Sequence, residues 1–549
     1  MPKPIHVGLV LVAAVAGATQ VPKKAVQAQT AACEAATNAG VVRGQDLGLS
    51  CQFLGIPYAA PPTAALRWKP PQPPAPWDGV RDAIAPPANC PSVNPASGLP
   101  GGSEDCLKLN LWVRNPLPGV PAPVIVWLHA GAFAFASANF PSHRSQRLAE
   151  ETGVIVVAPN YRLGPFGFLV HEALASEDPA RPVSGNYGLL DQRAALAWVH
   201  DNIANFGGDP DNVTIAGTSA GGESAGLHLV SPGSAGLFHR AVVHSGPVTA
   251  RWPSAAEMAP QGDALASALG CTDQAAVLSC LRAVPQNTVL TGLTQGVQPI
   301  VEPAGRVFWL PVVDGLEIPD QPRELYDTGQ FTRVPVVLGY TRDEGAGAFI
   351  TRSFPLGVSA AQYDAWLDTE FDTDAPAVRA MYPVDGFATP ADAMARVLGD
   401  GNFTCEGQRL ARTLALARNP VYVFSYEYEI DDLFKDRVIH GVESNILFGN
   451  NYGPPNFVPH VLDASDLALH AAMAGYWTRF AATGNPNTDD GSAVQWPPFK
   501  APAGIGRGAL QYLVLDAVIE ERTRLKHVEC AFWEPFFLRS MVAGVPAGQ

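Results

Sequence analysis

Charge is scarce in this chain, and what is present leans acidic. Asp, Glu, Lys and Arg make up only 16% of the 549 residues, and the formal net charge is -15. That balance leaves no basic surface for a phosphate backbone, so nucleic acid is excluded as a partner. No C-x-x-C pair, phosphate-cradling loop or dinucleotide fingerprint occurs, and His171-Glu172 opens like a zinc helix without a second histidine at the required spacing. No cofactor and no metal are therefore expected. The N-terminal apolar run, residues 7–18, is too short to cross a bilayer, which needs about 20 apolar residues, so no stable membrane anchor is expected either. No composition break, low-complexity linker or internal repeat divides the chain.

Apolar residues, at 47%, are by contrast abundant enough for a large core. The N-terminus reads as an export address, with Lys3, the apolar run and small-x-Ala sites at Ala18 and Ala28. Residues 1–28 are expected to be a signal peptide, residues 29–549 one catalytic domain, and the destination secreted or periplasmic. The eight cysteines are Cys33, Cys51, Cys90, Cys106, Cys271, Cys280, Cys405 and Cys530, an even number that fits a disulfide set in an exported protein. Spacing leaves their connectivity open, although Cys33 with Cys51, Cys90 with Cys106 and Cys271 with Cys280 are short loops to close.

Gly40-Val-Val-Arg-Gly44 and Cys51-Gln-Phe-Leu-Gly-Ile-Pro-Tyr58 read as two strands joined by a turn, and residues 103–113 alternate as a half-buried strand. Val124-Ile-Val-Trp-Leu-His129 and Val154-Ile-Val-Val-Ala-Pro-Asn-Tyr161 are nearly continuous apolar runs, as strands buried on both faces of a parallel sheet require. Residues 188–204 carry helical apolar spacing, and strands follow at 239–245, 334–340, 421–426 and 510–515, with helices at 466–482 and 520–537. This alternation predicts an α/β fold with a large, mostly parallel sheet and helices on both faces.

Val213-Thr-Ile-Ala-Gly-Thr-Ser-Ala-Gly-Gly222 is a strand run that meets G-x-S-x-G and then a helix-forming segment. A strand turning at once into a helix demands small neighbours and lifts the central Ser219 clear of the sheet, as suits a nucleophile. A serine nucleophile needs an acid and then a histidine further along the chain. Glu344 and Asp343 follow directly on a buried strand, where catalytic side chains of open α/β sheets gather. His440 and His460 both stand in loop-like sequence beyond them. Oxyanion donors are expected from the Ala220 amide and from the small-residue loop His129-Ala-Gly-Ala-Phe133, with His129 fixing that loop.

The chain resembles the type B carboxylesterases of the cholinesterase-like α/β-hydrolase family. The likeness rests on Phe53-Leu-Gly-Ile-Pro-Tyr-Ala59, Ser103-Glu-Asp-Cys-Leu-Lys-Leu-Asn110, Gly185-Asn-Tyr-Gly-Leu-Leu-Asp-Gln192, Phe206-Gly-Gly-Asp-Pro-Asp-Asn-Val-Thr214, Asp343-Glu-Gly345 and His440-Gly441. It implies an α/β-hydrolase fold, a Ser219, Glu344 and His440 triad, and oxyanion amides at Gly131, Ala132 and Ala220. It also implies disulfides joining Cys90 to Cys106, Cys271 to Cys280 and Cys405 to Cys530, which leaves Cys33 to pair with Cys51 on the hairpin. Buried ion pairs would join Arg67 to Glu104 and Arg162 to Asp191.

Departures from the family bear on substrate. Thr218 replaces the usual Glu before the nucleophile, which predicts a site lacking that negative charge. The loop from 91 to 105 has no aromatic residue to face a quaternary ammonium, and Ala346-Gly-Ala348, Gly305 and Val307 are small where cholinesterases are bulky. Ala130 stands at the usual first glycine of the oxyanion loop. The expected function is hydrolysis of broad or bulky, non-cationic, small-molecule or lipid-like esters through an acyl-enzyme. A triglyceride lipase and a non-catalytic adhesion module of the same fold are the competing readings.

Overall fold

The computed structural model describes residues 33–115, 119–293, 308–347, 357–430, 436–451, 460–500 and 510–539. The expected signal peptide and the substrate positions Gly305, Val307 and Ala348 lie outside them. An eleven-stranded sheet forms the centre, with spatial order Glu520–Thr523, Gln511–Leu515, Val421–Tyr426, Val336–Thr341, Arg240–His244, Gly208–Thr218, Ala122–Leu128, Ile155–Pro159, Lys108–Arg114, Ser50–Pro57 and Gln45–Asp46. From Gln511–Leu515 to Ile155–Pro159 every neighbouring pair is parallel, and the strands outside that block pair antiparallel.

Side chains of the central strands alternate between two buried layers. Val124, Val126 and Leu128 enter one apolar cluster, Ile125 and Trp127 the other, so the strand reads as an unbroken apolar run because both faces are covered. Helices such as Tyr187–Asn202, Ala220–Val230 and Ala464–Thr483 supply the cover. This is the α/β-hydrolase arrangement. The chain order reverses about Ala122–Leu128, whose neighbours are Ile155–Pro159 on one side and Gly208–Thr218 on the other. Ligand crevices of open α/β sheets form at the carboxyl ends of strands at such a switch point.

Disulfides join Cys33 to Cys51, Cys90 to Cys106, Cys271 to Cys280 and Cys405 to Cys530. The last ties the helix Cys405–Leu416 to the C-terminal helix His527–Arg539 and crosses a separate apolar cluster around Trp366 and Trp533. Arg67 pairs with Glu104 at 2.5 Å, and Arg162 pairs with Asp191 at 2.7 Å in a fully buried fork.

Three expectations need correction. Gly40–Arg43 does not pair with Ser50–Pro57; it joins Glu34–Thr37 and Val80–Asp82 in a small separate sheet, which the Cys33–Cys51 bond fastens to the main one. The strand expected over 103–113 is Lys108–Arg114, and Leu109 to Val113 are all buried because Trp112 packs into the second layer. Residues 520–523 are a strand rather than the start of a helix: four exposed residues form the sheet edge against Gln511–Leu515. Their charged side chains suit a helix by composition, but Arg522 is engaged with Glu520 and Glu427 across the exposed edge.

Candidate active site

The strand Gly208–Thr218 runs straight into the helix Ala220–Val230, and Ser219 between them holds φ 57° and ψ -127°. A side chain at Gly221 would come within 2.0 Å of the Leu128 carbonyl, and one at Gly217 within 2.5 Å of the Gly221 backbone. Only glycine permits that approach, so the turn sets Ser219 against the loop that follows Leu128. The Ser219 amide donates to the His244 carbonyl at 2.9 Å, and the residue is 9% exposed. Its strained backbone is thus tied to the neighbouring strand Arg240–His244.

Three successive residues of the facing loop, Gly131, Ala132 and Phe133, have φ of 120°, 51° and 57°. Ala130 is not among the positive-φ residues, so alanine fits there without strain. The His129 ring stacks on Tyr161 with centroids 4.2 Å apart, its Nδ1–H donates to the Ala130 carbonyl at 2.7 Å, and the Tyr161 hydroxyl donates to the His129 carbonyl at 2.7 Å. Burial drives the His129 pKa down to about 4, so the ring is neutral and the loop is clamped without a charge. The amides of Gly131, Ala132 and Ala220 donate to no acceptor among the described residues. Ala220 also opens a helix, where the dipole favours an anion.

Glu344 follows the strand Val336–Thr341 and is 1% exposed. Its Oε1 accepts from the Ser245 hydroxyl at 2.5 Å and the Thr341 amide at 2.7 Å, and its Oε2 meets His440 Nδ1 at 2.5 Å. Nδ1 therefore carries the proton of the neutral ring, which puts the basic lone pair on Nε2. A Cβ on Gly441 would lie 3.6 Å from Thr218 Cγ2, so the His440 turn rests on the residue before Ser219. Burial opposes a charge on His440, but Glu344, with help from Glu443 and Glu223, outweighs it and raises the pKa above the ordinary 6.5.

The rival residues are occupied elsewhere. Asp343 binds Arg342 at 2.9 Å and accepts from the Val438 amide at 2.9 Å. His460 meets Asp466 at 2.8 Å at the start of a helix. Two other histidines that follow Ser219 in the chain are also engaged: His228 sits between Ser234 and Gln192, and His470 between the Ile446 carbonyl and Glu151.

Two further carboxyls, Glu443 and Glu223, lie close to the Ser219 turn. Thr218 Oγ1 donates to Glu443 Oε1 at 3.2 Å, and Ser444 Oγ lies 2.9 Å from the same hydroxyl. The expectation of a site without a negative charge is thus corrected, because residue 443 supplies from another element the carboxylate that residue 218 lacks. Burial raises Glu443, but the hydrogen bond from His244, aided by the pull of His440, prevails and holds it below its ordinary value. Glu223, one helical turn after Ser219, is pushed by burial up to about 8, against the pull of His440. Helical spacing is the signal for Glu223, four residues after Ser219 in the helix Ala220–Val230, whereas Glu443 opens its own helix after the non-helical His440 turn and carries no such signal. Among the described residues no group of three or more His, Cys, Asp or Glu side chains is arranged to hold a metal ion.

The carboxylesterase family model matches residues 31–533. Fumonisin B1 esterase of Sphingopyxis macrogoltabida is 35% identical over 88% of this chain and 87% of its own. Acetylcholinesterase of Bungarus fasciatus is 32% identical over 91% of this chain and 86% of its own. With a match across nearly the whole described fold and relatives that hydrolyse esters, the chain belongs to the carboxylesterase family and is an esterase.

Proposed function

We propose that the chain is an exported serine esterase in which Ser219 is the nucleophile, His440 the general base and Glu344 the residue that orients and charges the base. Ser219 Oγ attacks the ester carbonyl as His440 Nε2 takes its proton, and the Gly131, Ala132 and Ala220 amides donate to the developing oxyanion. Collapse breaks the ester C–O bond, and His440 returns its proton to the departing alcohol. Water then attacks the acyl-enzyme with His440 again as base, releasing the acid and regenerating Ser219. The observation that carries this reading is the strained Ser219 turn beside a Glu344–His440 hydrogen bond of 2.5 Å. On this reading, Ser219→Ala abolishes turnover of p-nitrophenyl butyrate; retained wild-type turnover would sink the assignment.

The substrates proposed are broad or bulky non-cationic esters. A cation needs an aromatic face, and the Cys90–Cys106 loop offers none. Ala346 and Gly347, behind the acid, add little bulk. A kcat/KM for butyrylcholine matching that for a neutral naphthyl ester would contradict this, and preference for emulsified over soluble esters would favour a lipase. Four disulfides support export to an oxidising compartment, extracellular or periplasmic. Among the described residues no helix is long and apolar enough to cross a membrane.

A further inference from the structure

We infer that a pocket between the Thr249–Arg251 loop, the helix Pro322–Asp327 and the helix Cys405–Leu416 is a binding site for a short-chain carboxylate, separate from the Ser219 centre. The cavity has a volume of about 230 Å³, several times that of a water molecule, and none of Ser219, Glu344, His440 or the oxyanion residues lines it. Its charged walls are Arg251, Arg323, Arg409, Glu324 and Glu406, three guanidinium groups against two carboxyls.

Three buried polar atoms on these walls have no hydrogen-bond partner among the described residues: Arg409 Nη1, Arg323 Nε and Glu406 Oε2. Arg323 Nε lies 3.8 Å from Asp327, beyond hydrogen-bond reach. Buried polar groups left without partners are rare because each is costly, and here all three belong to side chains that line one cavity. The rest of each side chain is already held. Arg409 Nη2 donates to Asp327, Arg323 Nη1 donates to the Phe537 carbonyl, and Glu406 Oε1 accepts both the amide and the hydroxyl of Thr249. The three unpartnered atoms are therefore fixed in place before any ligand arrives.

Two guanidinium N–H groups suit the oxygens of a carboxylate. Glu406 completes the set rather than opposing it, because burial pushes its carboxyl up to about 7 against the pull of Thr249, Arg409 and Arg323. Its protonated form gives a third donor. A more highly charged anion such as phosphate would meet Glu324 and the ionised fraction of Glu406 in a small space, so a monocarboxylate fits better.

The test is calorimetric titration of sodium propionate, with propionamide as the uncharged control, into the full-length Ser219→Ala protein, which keeps turnover out of the measurement. One propionate per chain and no propionamide heat are expected. Ala250→Trp, which fills the exposed rim without removing a charge, and Arg409→Gln should each weaken propionate by at least about tenfold, whereas Glu406→Gln, which keeps a donor, should retain it. A binding isotherm unchanged in Ala250→Trp would place the carboxylate elsewhere, the Ser219 centre included, and would overturn the inference. Absence of propionate binding in the parent protein would leave the pocket to water and overturn it equally. Neither result bears on hydrolysis, which Ser219→Ala tests on its own.

Discussion

Glu344 meets His440 through Nδ1 at 2.5 Å, and Glu443 meets His244 through Nδ1 at 3.1 Å. Both pairs are buried at the carboxyl end of the sheet, and both lie next to the Ser219 turn. They differ at the other ring nitrogen. The Trp477 indole N–H, which can only donate, reaches His244 Nε2 at 3.1 Å. That fixes the proton on Nδ1, spends the lone pair and leaves the His244 side chain 0% exposed. His440 keeps 14% of its side chain exposed, and its turn rests against Thr218. On the proposed reading, a carboxylate behind an imidazole does not by itself make a base: the partly exposed His440 serves as one, and the fully buried His244 braces the turn.

The comparison breaks most sharply by exchanging the histidines one at a time. His440→Gln should cost about 10⁶-fold in kcat on a p-nitrophenyl ester, as loss of a triad base does elsewhere. His244→Gln should leave kcat within about tenfold but lower stability by about 3–5 kcal/mol in urea unfolding, because it strands the buried Glu443 carboxylate. Equal loss of kcat in both variants would erase the distinction. Glu344→Gln should cost about 10⁴-fold in kcat, since the amide no longer enforces the productive tautomer.

A subtler exchange is Trp477→Phe, which removes the donor to His244 Nε2. It should reduce stability by about 1–3 kcal/mol with little change in kcat. The pH profile sharpens the comparison further. In the proposed mechanism only the neutral form of His440 accepts the serine proton, and its raised pKa means that protonation persists above the ordinary 6.5. The lower limb of kcat/KM should therefore rise with pH through an apparent value above 6.5, and Glu344→Gln should move that limb down. The smallest effect is expected of Thr218→Val, which deletes the hydroxyl bonded to Glu443 and should change kcat/KM by about threefold or less.

Much of this site could be read along the chain where the signal was local. The Ser219 turn is legible because it needs Gly217 and Gly221 within two residues, and the loop proposed to hold the oxyanion because small residues follow a buried strand. Glu344 against Asp343 was not decidable from position, as both follow one strand; the difference lies in Asp343 being engaged by Arg342 and the Val438 amide, the latter 95 residues away in sequence. Glu443 escaped for a related reason. Its partner His244 lies 199 residues earlier, and nothing near Thr218 in the sequence hints that a carboxylate from another element accepts from its hydroxyl. The edge strand Glu520–Thr523 was misread because its residues favour a helix locally, while the unpaired side of Gln511–Leu515 decides otherwise. Local steric needs were legible; long-range pairings were not.

The most direct measurement is mass spectrometry of the protein after reaction with a stoichiometric organophosphate ester. The account predicts one phosphoryl adduct, on the peptide containing Ser219, formed readily in the parent and in His244→Gln but not in His440→Gln. An adduct on any other residue, or labelling that survives loss of His440 and fails on loss of His244, would contradict it.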